Sequence, residues 1–148
     1  MIRRRLKYSD YYHEVVVNEV SEIFNVDKDR IFLGSRKKNI ILAKRLFIYT
    51  LRELFGLTLK DISGVTNLHH ASIIHHARQF EFEYNNYKKD NKNFKRVENR
   101  VVEVEIDEEI KGLEQQLKTI KESLTKLYKI NKLKHEREKR ENLLTEQH

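Results

Sequence analysis

The chain has no cysteine, no proline and no tryptophan, and only four glycines in 148 residues. Without cysteine there is neither a disulfide framework nor a thiolate zinc site, which suits a reducing cytosol. Without proline, and with so little glycine, helices can run uninterrupted. No apolar run approaches the length of a membrane span. The Arg3-Arg4-Arg5 start resembles the charged end of a signal peptide, but Lys7, Asp10 and His13 interrupt the apolar stretch that should follow. A soluble intracellular protein is therefore expected. The phosphate-loop pattern G-x-x-x-x-G-K-[S/T] does not occur, so no nucleotide cofactor is expected in such a loop. No nucleophile, base and orienter set and no carboxylate pair can be assembled either, and an enzyme is not expected.

Charge is what the chain has in quantity. Charged residues make up 36% of it, the net charge is +7, the isoelectric point is near 9.5 and the mean hydropathy is −0.75. Such a balance points to a polyanionic partner, of which nucleic acid is the commonest. The apolar residues suffice for one core of about 80 to 90 residues and not for a second.

The most informative stretch is LTLKDISGVTNLHHASIIHHARQF, residues 57–80. Thr58 can cap a short helix, and Asp61, three residues on, can reach back in an acidic variant of the capping box. That predicts a helix over about 58–64 with Leu59 and Ile62 on one face. Gly64 and Thr66-Asn67 then supply turn and cap chemistry, and a second helix is expected from near Leu68. In it Ile73, Ile74 and Ala77 face a core, while His70, Ala71, Ser72, His75 and Arg78 fall on the other side. Two short helices joined by a tight turn, the second polar outside, describe a DNA-binding helix-turn-helix.

In chain order, residues 1–9 read as a basic arm. Ser9 or Asp10 caps a helix to about Phe24, with Tyr12, Val16, Val20 and Ile23 or Phe24 buried. Residues 25–39 break the helical period: Val26 and Ile31-Phe32 tuck inward, and Gly34-Ser35 opens a loop that presents Arg36, Lys37 and Lys38. Three adjacent cations repel one another until something neutralises them, and beside a helix-turn-helix the candidate is the DNA backbone or minor groove. Residues 40–55 form a central helix that Gly56 ends. Lys44 and Arg45 either snorkel from it or join the loop in one basic face.

These residues carry a resemblance. From about Val20 to Phe80 the order of helix, basic loop, long helix and helix-turn-helix resembles the C-terminal DNA-binding domain of the bacterial replication initiator DnaA. VSEIFNVDKDRIF, SRKKN, LAKRLFIYTLREL and LTLKDI follow that family's segments in turn, and LHHASIIHHARQF resembles its signature helix. The resemblance implies that His70 and Ser72 meet base edges or nearby phosphates, with Arg78 at the basic position late in the helix. It also implies that Arg36, Lys37 and Lys38 contact backbone and minor groove, and that Lys44 and Arg45 contact backbone. Asn67 in the turn belongs to the same candidate surface. His69 and Ala71 stand where the family has Asp and Thr, so the family's own target sequence does not carry over. The family's ATPase domain precedes this module; its phosphate loop is absent from these 148 residues.

His69, His70, His75 and His76 invite a metal, but one ion needs helical ligands three or four apart, and these pairs lie one, five, six and seven apart. No metal is expected; one or two of these histidines should pack and the rest face DNA. Residues 81–100 mix Phe82, Tyr84, Tyr87 and Phe94 with Lys88, Lys89, Lys92, Lys95, Arg96 and Arg100. That composition occurs in single-strand binders, yet a linker or a final packing helix is the reading preferred here.

From Val101 a heptad emerges. Ile106, Leu113, Ile120 and Leu127 fall at d, and Ile110, Leu117, Leu124 and Asn131 at a, a narrow seam with one amide to fix register. A homo-oligomer through this helix is expected, its orientation open: parallel strands set Glu109 against Glu114, antiparallel ones bring Asp107 or Glu114 near Lys121. Beyond Lys134 the seam lapses and fraying is expected. The sequence thus describes an all-α protein: arm 1–9, helix-turn-helix domain 10–100 with its core in 20–80, and coiled-coil helix 101–148. Double-stranded DNA is the expected partner, in replication initiation or its control or in transcription, in the cytoplasm of a bacterium or phage-infected cell. The alternative is a DNA-associated scaffold, such as a phage-particle or nucleoid component, with little sequence preference.

Overall fold

The structure is a computed structural model and describes residues 5–146. It is all-helical: α1 (Asp10–Phe24), α2 (Lys38–Phe55), α3 (Leu59–Thr66), α4 (His70–Asn86) and α5 (Lys88–Glu146), with one 3₁₀ turn at Lys28–Arg30. The chain divides into two compact units after Val104.

The helix ends follow local chemistry. Ser9 Oγ accepts from the Tyr12 amide to cap α1, and Asn25 ends it in the left-handed region at φ 52°. Gly56, at φ 63°, ends α2. An added Cβ there would lie 2.6 Å from Arg5 Cδ, so the glycine serves both the turn and the close passage of the arm. Leu6 donates its amide to the Leu54 carbonyl at 3.1 Å, and Leu6 and Tyr8 pack on the core. Residues 5–9 are thus tied to the domain; Arg3 and Arg4 lie outside the described residues.

The first unit is built around α2, which buries Ala43, Leu46, Phe47, Ile48 and Leu51 completely. Two aromatic groups flank it. Phe47 meets Phe32 and His13 at ring-centroid distances of 4.9 and 5.5 Å, holding the loop and α1. Tyr49 meets Phe80 at 4.7 Å and Phe94 at 5.0 Å, holding α4 and the start of α5. Residues 88–100 therefore resolve as a packing helix whose Phe94, Val97, Val101 and Val104 are buried, and not as a linker. Arg96 adds ion pairs to Glu19 at 2.7 Å and Glu22 at 3.3 Å on α1.

The second unit is the rest of α5. From Ile106 onward every described residue is exposed, including each apolar seam residue, and the helix continues to Glu146 where fraying was expected from Lys134.

Candidate nucleic-acid interface

The helix-turn-helix is assembled by its own polar side chains. Thr58 Oγ accepts from the Asp61 amide and the Asp61 carboxylate accepts from the Thr58 amide, both at 3.1 Å, completing the box that starts α3. Those bonds favour the ionised carboxyl and hold its pKa below the usual value. The turn departs from the sequence reading. Gly64 lies inside α3, which runs to Thr66, and Asn67 ends it at φ 57°, a conformation that asparagine tolerates. Ser63 Oγ donates to the Leu68 carbonyl at 2.7 Å, and Thr66 Oγ, itself donating to Ile62, accepts from the Leu68 amide at 3.3 Å. The connection is thereby fixed at residues 67–69.

The start of α4 at His70 is two residues later than near Leu68, because His69 caps it. Its Nδ1 accepts from the Ala71 amide at 3.2 Å, which requires the neutral ring with its proton on Nε2. The helix buries Ile73, Ala77 and Phe80, with Ile74 only partly covered. His70, Ala71, Ser72, His75 and Arg78 are exposed together. His75 and Arg78 line a shallow surface groove with Gln79 and Phe82. Phe82 is 58% exposed, and only its lack of a core position in the helical period hinted at that.

Arg36, Lys37 and Lys38 are all exposed, with Ser35 Oγ accepting from the Lys37 amide at 3.2 Å. Lys37 stands at the N-cap of α2 and supplies no side-chain cap, so the first-turn amides of a helix with 18 residues keep their donor capacity beside the cations. Lys37 and Lys38 share an open concavity with Arg30 and Asn39. Arg30 was not singled out from the sequence because it sits apart from the loop cluster, paired with Asp27 at 3.6 Å.

Lys44 and Arg45 are not part of that exposed set. Lys44 is 5% exposed, its Nζ donating to the Leu33 carbonyl at 3.1 Å, and burial lowers its pKa. Arg45 Nη1 donates to Glu83 Oε1 at 2.7 Å, fastening α2 to α4. The same two cations bear on His76: burial first, then Arg45 and Lys44, push its pKa down to about 4. Its Nδ1 is buried without a hydrogen-bond partner. His76 is thus a packed, neutral histidine, while His70 and His75 face outward.

A short capped helix, a three-residue turn and a second helix with a polar exposed face, all seated on a long central helix, define a helix-turn-helix domain. Residues 13–79 match the family model described as the bacterial dnaA protein helix-turn-helix, and this region is similar to that family. The chain is 30% identical over 78 residues to the chromosomal replication initiator protein DnaA of Kosmotoga olearia, covering 53% of this chain and 17% of that protein. It is 29% identical over 68 residues to the protein of the same name from Pseudothermotoga lettingae, covering 46% and 15%. The Thermosipho melanesiensis counterpart is 27% identical over 70 residues, covering 47% and 16%. The chain therefore spans about a sixth of the length of the relatives it matches.

Proposed function

We propose that this protein binds double-stranded DNA in replication initiation or its control. The first turns of α4 read base edges in the major groove, and the Arg36–Lys38 loop holds the backbone or adjacent minor groove. The observation that carries this reading is the exposed face of His70, Ala71, Ser72, His75 and Arg78 on the second helix of a DnaA-type domain. Charge supports it. Residues 1–104 hold 20 of the 30 Lys and Arg against 13 of the 23 Asp and Glu, so the whole net charge of +7 lies there. Phosphate contact from Lys44 and Arg45 is left out, because both side chains are largely buried and turned to partners within the domain, Leu33 and Glu83. With Arg36, Lys37 and Lys38, and with Arg78 near the groove edge, three or four phosphates are neutralised. Log K for duplex DNA should then fall against log salt with a slope of roughly −3 to −4. Titration at several salt concentrations tests this, and a slope near zero would overturn the reading.

The exposed seam of α5 joins two or more copies of the chain. In vitro selection of bound duplexes separates the regulator from a DNA-coating scaffold: an enriched motif supports the first, and equal binding to all sequences the second.

A further inference from the structure

Among the described residues nothing covers the seam of α5. Ile106, Ile110, Leu113, Leu117, Ile120, Leu124 and Leu127 are between 43% and 64% exposed. The stripe of α5 that packs into the first unit is a different one. Counted with Ile110 at a, Phe94, Val97, Val101 and Val104 fall at f, b, f and b, whereas the seam falls at a and d. The seam is therefore not a continuation of domain packing, and seven large apolar side chains in water call for a partner.

We infer that the occupant is a second copy of this chain, running antiparallel. This inference rests on the self-association proposed above and adds the orientation. Two features of the charge pattern decide it. Residues 103–114 carry six carboxylates and one lysine, whereas residues 118–140 carry nine cations and three carboxylates. Parallel strands would lay acid beside acid and base beside base; antiparallel strands lay each acidic end along a basic one. The flanking positions agree. In a parallel pair g faces e of the next heptad, which sets Glu109 against Glu114 twice and forms no ion pair among e and g.

An antiparallel pair faces e with e and g with g, and one register satisfies the whole seam. Ile106 meets Asn131, Ile110 meets Leu127, Leu113 meets Leu124, and Leu117 meets Ile120, each with its symmetric counterpart. In that register Glu114 faces Lys121 of the second copy on both sides of the dyad, and no like-charged pair arises at e or g. The amide of Asn131 falls at the end of the seam, where water reaches it. Since Ile106 and Asn131 are 25 residues apart, the two copies of Ile106 lie about 37 Å apart along the coil. The two helix-turn-helix domains are attached at opposite ends, so one dimer joins two duplex segments where a parallel pair would serve adjacent half-sites.

The chain has no cysteine, so single thiols can be placed at will. Full-length Ile110→Cys and Leu127→Cys chains, one carrying a mass tag, are oxidised separately and as an equimolar mixture. The antiparallel dimer yields the mixed disulfide at least tenfold over either homodisulfide. Homodisulfides without the mixed product would overturn the orientation while leaving self-association standing. No disulfide of either kind, with a monomeric mass in sedimentation of the unsubstituted chain at tens of micromolar, would overturn self-association and the inference with it. A second variant reads the same question by sign. Glu114→Lys should weaken the antiparallel dimer by roughly threefold to tenfold, with Lys121→Glu in the same chain restoring it. Tightening by Glu114→Lys alone would mean that it relieves the Glu109–Glu114 clash of a parallel pair.

Discussion

The two units of this chain use apolar residues in opposite ways. Up to Val104, apolar side chains at helical spacing close on one another around α2, and two cations drawn inward find partners, Lys44 at Leu33 and Arg45 at Glu83. From Ile106 on, apolar side chains at almost the same spacing remain in water. The net charge divides likewise: +7 in the first unit and none in the second, whose ten cations and ten carboxylates cancel. Periodicity alone thus does not say whether a stripe is satisfied within the chain or between chains. The width of the stripe and the distribution of charge along it do.

The sharpest way to break this contrast is to truncate one apolar residue in each unit. Phe47 is fully buried against Phe32 and His13, and Phe47→Ala should cost about 3 to 5 kcal/mol, enough to abolish cooperative unfolding of a marginal domain. Leu117→Lys should leave the domain's melting temperature in place and disperse the oligomer in sedimentation. Equal losses of melting temperature would show that the two units are not energetically separate.

A smaller effect is expected at the tie between the central helix and α4. Glu83→Ala removes a charged hydrogen bond at 2.7 Å between side chains that are 18% and 15% exposed, for a cost of about 1 to 3 kcal/mol in urea unfolding. Because Arg45 is then released, phosphate affinity should hold or rise slightly, whereas DNA preference should fall as α4 loosens. A change in neither stability nor preference would mean that the pair is incidental.

The smallest effect is a pH dependence. His76 has a folded pKa near 4, below its ordinary 6.5. Above 6.5 it is neutral in both states and contributes nothing to the slope. Between about 6.5 and 4 the unfolded chain takes up a proton that the fold refuses, so stability should fall as pH drops through that window. His76→Leu should flatten the melting temperature there; an unchanged pH profile would assign the dependence to other groups.

Much of this architecture was legible from local chemistry. Ser9, the Thr58–Asp61 box and Gly56 marked helix ends where they occur, because caps act within a few residues. Ile62, Ile73 and Ala77 were legible as core from their spacing. The turn was misplaced because Gly64 attracts a turn reading, whereas the left-handed position fell to Asn67 and the cap to His69. Lys44 and Arg45 show a deeper limit. Residue type gives their charge, but whether a long stem carries that charge out to a phosphate or back to Leu33 or Glu83 depends on the tertiary neighbours. Residues 81–100 were ambiguous for the same reason, since Phe94 could be recognised as core only once Tyr49 and Tyr84 were in place beside it.

Two substitutions measured on two DNAs test directly whether α4 reads bases while the basic loop holds the backbone. On a site enriched by selection, His70→Ala should lose about 1 to 3 kcal/mol of binding, with little loss on random duplex. Lys37→Ala should weaken both alike and reduce the salt slope by about 1. If His70→Ala lowered both affinities equally, α4 would be gripping phosphate without reading sequence, contradicting the account.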